Sequence, residues 1–137
     1  MGERGRQSTI VGQLARVVYE LDRPEEAEQL AEEAARLTAH DDAISQATWR
    51  SVRSLVFASR GELAEGERLG REALALIERT DFLDSHALAL LDLAEILELA
   101  ERPEEALPLV EQALGLTRQK GNVLLERRVL ERLARLD

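Results

Sequence analysis

The sequence has no cysteine, only three prolines and few aromatic residues, and these scarcities exclude several classes of protein. Without cysteine the chain can form no disulfide framework and no thiolate metal site, which leads us to expect a reducing, cytoplasmic location. Aromatic residues make up 3% of the chain, so nucleic-acid bases would find few rings on which to stack. Charged residues interrupt every apolar run, and no segment is long enough to cross a membrane.

The chain is also short of positive charge. Its formal net charge is −9, which repels nucleic-acid phosphates and anionic lipid surfaces. We therefore expect neither a nucleic-acid nor a membrane partner. The charged start, MGERGRQ, is followed by no apolar run of the length that a secretory signal needs.

Leucine and alanine are abundant, with 25 and 19 copies among 137 residues. Both favour helices, whereas the residues that favour strands are few. A chain of this length is expected to form one domain and can bury a core of its own. Composition therefore predicts an all-α protein.

Two similar phrases, DRPEEAEQLAEEA and ERPEEALPLVEQA, reveal an internal repeat. Small residues at equivalent positions, Ala27, Gly66 and Ala106, are 39 and 40 residues apart, and Ala34, Ala73 and Ala113 keep the same intervals. This period predicts three units of two helices each. A seventh helix then caps the last pair. The predicted organisation is a flexible segment over 1–7 and one repeat domain over 8–137, with units at about 8–41, 42–82 and 83–121 and the capping helix at 122–137.

Local signals support these boundaries. Pro24 and Pro103 suit first helical turns, where a missing N–H is harmless. Gly61 and Gly121 suit left-handed helix ends. Pro108 falls inside the sixth helix and predicts a bend or an irregular first turn there. The predicted N-caps are Ser8, Asp42, Asp84 and Asn122.

No constellation of residues indicates catalysis. The pairs Glu25/Glu26 and Glu104/Glu105 are adjacent on a helix and therefore point about 100° apart, which suits the helix dipole better than a shared cleft. The clusters HDD at 40–42 and DSH at 84–86 have metal-type ligands, but three or four must converge to hold zinc. We interpret each as a capping Asp beside a surface His. The sequence thus predicts a protein that is not an enzyme, with no catalytic, cofactor-binding or metal-binding residue.

Arg50 and Arg53 occupy helical positions where an apolar residue is expected. Two interpretations remain: an anion site on the inner side of the repeat, or arginine stems packed between helices with their heads paired to neighbouring carboxylates. We favour the second interpretation, because unpaired buried charge is rare. Trp49, the only tryptophan, is expected to be half-buried.

The pattern resembles the tetratricopeptide repeat over nearly the whole chain. The positions that carry the resemblance are Leu90, Leu93, Ala94, Leu97, Pro103, Ala106 and Ala113 in the third unit, and Val11, Leu14, Ala15, Val18, Ala27 and Ala34 in the first. The middle unit departs from it at Arg50, Arg53 and Gly66, and the period is nearer 40 than 34. The resemblance implies a right-handed α-solenoid of antiparallel helix pairs, with three units and a C-terminal capping helix.

The longer period is also similar to the C-terminal repeat region of large bacterial nucleotide-cyclase/ATPase or transcriptional regulators. That resemblance implies a regulatory role. The first helix of each unit should form the inner face of the solenoid, where such proteins bind partners. The candidate contact residues are Gln13, Arg16, Tyr19, Ser51, Val52, Leu55, Leu88, Leu91, Asp92, Glu95, Leu99, Arg128 and Arg132.

Two functions remain open at this point. The chain could be a protein–protein interaction module that binds a protein or peptide segment or forms a homodimer. Alternatively, it could be a ligand-sensing regulatory segment of a larger bacterial signalling protein. Leu88, Leu91 and Leu99 are apolar beyond what a core requires, so they either contact a long neighbouring helix or form an interface patch. If two copies associate, Leu91 and Leu99 are the residues whose change to Glu should separate them.

Overall fold

The computed structural model describes the backbone of residues 2–136 and the side chains of residues 6–136, and these residues form seven helices joined by short loops. The predicted all-α fold is confirmed. The helices are α1 Gly2–Glu20, α2 Pro24–Leu37, α3 Ala43–Ser59, α4 Leu63–Ile77, α5 Leu83–Leu99, α6 Pro103–Lys120 and α7 Val123–Leu136.

Helix pairs pack in the order that the repeat predicts. The largest contacts join α1 to α2, α3 to α4 and α5 to α6, and each pair packs on the next in sequence, with α7 against α6. Alanines at the small positions, among them Ala27, Ala34 and Ala106, are fully buried. They allow neighbouring helices to approach closely while still removing apolar surface from water.

Several predicted helix ends are confirmed. The side chain of Asp42 accepts a hydrogen bond from the Ser45 N–H at 3.1 Å, and Asn122 caps α7 in the same way through the Leu125 N–H at 3.0 Å. Gly61 and Gly121 have φ values of 84° and 80°, in the left-handed region that glycine adopts at low cost.

Three details of the N-termini differ from the prediction. Helix α1 begins at Gly2 rather than at Ser8, and Met1 lies outside the described residues. Ser8 is therefore inside a helix, where it is fully buried and faces Ser45 of α3, rather than at a cap. Helix α5 has Phe82 as its N-cap, so Asp84 lies in the first turn instead.

Proline does not interrupt the sixth helix. Pro103 occupies the start of α6 as predicted, and α6 continues through Pro108 to Lys120 without a break. The predicted irregular first turn is absent from residues 103–106, which are all helical. Pro108 is exposed, so its ring meets water rather than a neighbouring helix. In the described part of the chain, no helix combines the length and apolar character that crossing a bilayer requires.

Candidate partner-binding surface

Helices α1, α3 and α5 lie side by side. We use the term inner face for the surface that these three helices form together with α7. Helix α3 is in contact with both α1 and α5. The face is partly closed, because side chains of α1 reach across α3 to α5. Arg16 on α1 donates two hydrogen bonds to Asp92 on α5, at 3.2 Å and 2.7 Å.

The Arg16–Asp92 pair is largely removed from water, with side-chain exposures of 18% and 10%. Burial works against the guanidinium charge, but the attraction of Asp92 and its hydrogen bonds outweigh that cost, so the pKa of Arg16 is raised. A planar guanidinium facing a carboxylate with two parallel hydrogen bonds has a fixed geometry. The pair therefore fixes the distance between the first and third units.

A second contact between the same helices lies one turn further along. The Tyr19 hydroxyl donates to Glu95 Oε2 at 3.5 Å. Burial, together with the nearby carboxylates Glu95 and Asp92, raises the pKa of Tyr19 to about 12. The pKa of Glu95 is raised as well, because burial and the neighbouring Asp92 charge both disfavour its ionised form.

Helix α7 extends this network at the C-terminal end. Arg132 donates to Glu98 and lies 3.9 Å from Glu95, both on α5. Arg128 approaches Glu20 of α1 at 4.0 Å. Apart from Arg128, the basic and acidic residues among the predicted inner-face contacts are therefore paired with one another.

Five of the candidate contact residues are buried rather than exposed, and one of them is Asp92 at 8%. Ser51, Val52 and Leu55 on α3 are at most 3% exposed, and Leu91 on α5 is 4% exposed. We expected the inner-face residues to be open to a partner. Instead, the side chains that join α1 to α5 pass over α3 and cover it. Leu91 belongs to the core between α5, α6 and α7 and reaches the surface only in the wall of a cavity beside α7, so it offers little apolar area to a second copy. Leu99, in contrast, is exposed.

A cavity remains open on the inner face at the N-terminal side of the Arg16–Asp92 pair. Its volume is about 240 Å³. Apolar side chains from α1, α3 and α5 form part of its wall, and hydroxyl and amide groups form the rest. The lining residues are Gln13, Arg16, Val17, Ile44, Ala47, Thr48, Ser51, Ser85, Leu88 and Ala89.

Four of these lining residues, Gln13, Arg16, Ser51 and Leu88, were among the predicted contacts. Sequence reasoning missed the other six. The spacing of α1 predicts which residues face inward, but it does not predict how far α1 and α5 lie from each other across α3. That distance decides which side chains surround an open space.

The favoured interpretation of the two arginines in α3 is confirmed for Arg50 only. Its Nε donates to Glu72 of α4 at 3.3 Å, and its guanidinium lies 4.3 Å from the centre of the Trp49 ring. Trp49 is half-buried as expected. Arg53 lies over the Phe57 ring at 5.4 Å, but its buried Nε atom has no hydrogen-bond partner.

The two histidine clusters differ from each other. His40 is exposed, as predicted, but His86 is buried, and its Nε2 atom has no hydrogen-bond partner. Burial lowers the pKa of His86, although the nearby Glu78 charge partly offsets this effect. Among the side chains of residues 6–136, no group of three or more His, Cys, Asp or Glu is arranged to hold a metal ion.

Solved structures show the same architecture. Nearly identical TPR-like repeats assigned to a kinesin light chain of Podosopora anserina superpose with a TM-score of 0.74 at 19% identity, covering 99% of this chain and 67% of the other. A TPR-like protein from Chlorobium tepidum gives a TM-score of 0.71 at 16% identity, covering 98% and 96%. These likenesses support the predicted solenoid of helix pairs.

Sequence comparison agrees with the structures. No curated protein is similar enough to this chain to count as a relative. The tetratricopeptide repeat profile, however, matches residues 45–119, and a second profile of the same repeat matches residues 9–39. The chain therefore belongs to the tetratricopeptide repeat family.

Proposed function

We propose that the chain is a non-enzymatic module that binds a segment of another protein on its inner face, with the central cavity as the anchor point. Tetratricopeptide repeats are generally protein-interaction modules. The observation that carries the proposal is the cavity between α1, α3 and α5. Apolar wall and polar groups are accessible together there, at the centre of the face, beside the paired charges of Arg16 and Asp92.

The size of the cavity favours a protein side chain as its occupant. Sites for whole small molecules usually measure about 300–1,000 Å³ and enclose most of the ligand. At about 240 Å³ and open to water, this cavity suits one large side chain of a bound segment. A second cavity, of about 530 Å³ between Leu91 and α7, falls within the small-molecule range, so volume favours a side chain at the central cavity alone. Our preference for a protein partner over a small-molecule sensor therefore rests also on the repeat family.

The chemistry of the wall favours an uncharged anchor residue. Arg16 already has both arms of its guanidinium on Asp92, so an incoming carboxylate would have to compete with that pair. Val17, Ile44 and Leu88 provide apolar contact for an aliphatic or aromatic side chain. Polar groups nearby, including the exposed amide of Gln13, could bond to the backbone of the bound segment.

The remaining predictions are part of the same proposal. A cytoplasmic location, the absence of nucleic-acid and membrane partners, and an origin in a bacterial signalling regulator all stay predictions. Self-association through the inner face loses one of its two supporting residues, because Leu91 is buried. We therefore do not assign a homodimer to this face.

Blocking the cavity tests the proposal. Gln13→Trp places a large ring at the rim of the cavity, and Gln29→Trp makes the same change on an exposed site of α2 as a matched control. Random peptides displayed on phage are selected on the immobilised proteins. We expect enriched peptides that share an apolar anchor residue, bound by the wild type and the control but not by Gln13→Trp. No enrichment, or enrichment that Gln13→Trp leaves unchanged, would contradict the proposal.

A further inference from the structure

Helix α1 exposes a row of large apolar residues on the side opposite its buried face. The residues are Ile10, Leu14 and Val17 of α1 and Leu21, which directly follows the helix, with exposures of 61%, 46%, 50% and 62%. Their spacing of four, three and four residues places them on one side of the helix. We call this row the α1 stripe. It lies apart from the inner-face charges, and only Val17 also lines the cavity.

The third unit of the repeat contains a row of residues equivalent to the α1 stripe, and most of that row is buried. The third unit lies 79 residues after the first, as the interval from Ala27 to Ala106 gives. The equivalents of the α1 stripe in α5 are Ala89, Leu93, Ile96 and Ala100. The first three are at most 4% exposed, although they sit at the same positions of the same kind of helix.

The element that covers those equivalents is the second helix of the preceding unit, α4. Its contact side includes two small residues, Gly70 and Ala73. A Cβ atom placed on Gly70 would lie 3.3 Å from Leu93 Cδ1 and 3.6 Å from Ile96 Cδ1. Ala73 and Ile77 of α4 pack with Ala89 in one buried cluster. A helix with small residues on one side is therefore the natural complement of this row.

The middle unit repeats the arrangement at one position of the row. Val56 on α3 is the equivalent of Val17, and it is fully buried in a cluster with Ala27 and Ala31 of α2. In both cases the covering helix is the second helix of a unit, and it presents alanine or glycine at three- and four-residue spacing. The other three equivalents in the middle unit are a tryptophan and two arginines, so the apolar row is shared by α1 and α5, and only the row of α1 is uncovered.

From this equivalence we propose that the α1 stripe docks a helix of a partner protein that presents alanine or glycine at successive turns, as α2 and α4 do. A second folded copy of this chain has no such face to offer. Fully buried residues mark the small faces of all three second helices: Ala31 and Ala34 on α2, Ala73 on α4, and Ala113 and Thr117 on α6. These faces are already in use within the fold.

A peptide copy of α4 is a direct probe of this surface. The peptide spans residues 62–80 and is held helical by hydrocarbon staples between positions 64 and 68 and between 71 and 75, all exposed in the parent helix. Its binding to the full chain is measured by fluorescence anisotropy. Ile10→Glu and Leu14→Glu change the α1 stripe without touching the cavity, and Leu124→Glu alters an even more exposed leucine on α7.

We expect the peptide to bind the wild type and Leu124→Glu alike, and each stripe variant to weaken binding about ten-fold or more, because a buried charge replaces an apolar contact. A peptide carrying Ala73→Arg should not bind. Absence of binding, or binding that the stripe variants leave unchanged, overturns the proposal. So does a molar mass by light scattering near twice 15.3 kDa that Leu14→Glu reduces to one copy, because a second copy would then be the occupant.

Discussion

Gly66 shows how one missing side chain sets the distance between two helices. The equivalent residues in the other units are Ala27 and Ala106, so an alanine at this position is normal for the fold. In the middle unit, however, a Cβ atom at Gly66 would lie 2.8 Å from the carbonyl oxygen of Ser54. That distance is too short for a carbon atom and a backbone oxygen, so α4 lies closer to α3 than an alanine would allow.

We predict that Gly66→Ala destabilises the protein by about 1–3 kcal/mol, although alanine favours helices, because α4 must move away from α3. Gly115→Ala in α6 is the matched control. No atom lies within 4 Å of a Cβ placed there, so this change should stabilise the protein by about 1 kcal/mol through helix propensity alone. Urea unfolding followed by circular dichroism measures both. Equal effects of the two substitutions would disprove the steric explanation.

Asp22 and Glu101 have φ values of 65° and 60°, in the left-handed region. Gly61 occupies the equivalent loop position of the middle unit. A residue with a Cβ atom pays about 1 kcal/mol or more to adopt this conformation. The three loops thus share a residue with a positive φ angle, but only the middle unit has glycine there, the residue that adopts this angle at low cost.

We predict that Glu101→Gly raises the free energy of unfolding by roughly 0.5–1 kcal/mol, because the conformational strain it removes exceeds the entropy that glycine loses. Gly61→Ala should lower it by about the same amount. Thermal and urea unfolding of the two variants test this pair of changes. A destabilised Glu101→Gly protein would show that the glutamate side chain contributes more than its backbone strain costs.

At the scale of elements, the contact between α1 and α5 is polar, whereas the contacts between consecutive helices are mostly apolar. Tyr19, the only tyrosine, reports on this contact directly. Its hydroxyl faces Glu95, and both groups have raised pKa values because they are partly buried and close to the Asp92 charge.

We predict that Tyr19 in the folded protein titrates with a pKa of about 12, whereas in urea it titrates near the ordinary value of about 10. Because the pKa is higher in the folded protein, the contribution of Tyr19 to the free energy of unfolding is complete below pH 10. That contribution is lost as the pH rises through 12. Absorbance at 295 nm follows the phenolate, and no other tyrosine contributes. A midpoint near 10 in the folded protein would show that α1 and α5 do not enclose the hydroxyl group.

At the scale of the whole molecule, repeat proteins usually connect each unit only to its neighbours. This chain also has bonds between its first and third units, through Arg16 and Asp92, and between α1 and the capping helix α7, where Arg128 approaches Glu20. Such bonds should make the three units unfold together. They also explain why much of the inner face is unavailable to a partner.

We predict that Asp92→Asn destabilises the protein by roughly 2–4 kcal/mol, because it leaves the guanidinium of Arg16 buried without its counter-charge. Glu65→Gln, which changes an exposed ion pair with Arg68, should leave the urea midpoint unaltered. The double variant Arg16→Met/Asp92→Leu should recover part of the loss, because no charge is then left unpaired. A neutral effect of Asp92→Asn would mean that the bridge is not maintained in solution.

Many helix boundaries could be read from short-range signals. Asp42 and Asn122 cap helices, and Gly61 and Gly121 end them, because these effects depend on residues within one turn. The errors at Ser8 and Asp84 arose where a residue with capping ability lies inside a helix, and its neighbours in sequence do not reveal that. Ser8 is buried because α3 packs against that side of α1.

The sequence by itself determined the all-α class, the three-unit period and the identity of the small residues between helices. Those properties follow from composition and spacing along one chain. Only the tertiary structure decided which inner residues remain accessible: it joined Arg16 to Asp92, buried Val52 and Leu55 beneath them, and left a cavity beside them. The physical reason is that spacing gives the direction of a side chain around its own helix. The distance between two helices that are not neighbours depends on the packing of every helix between them.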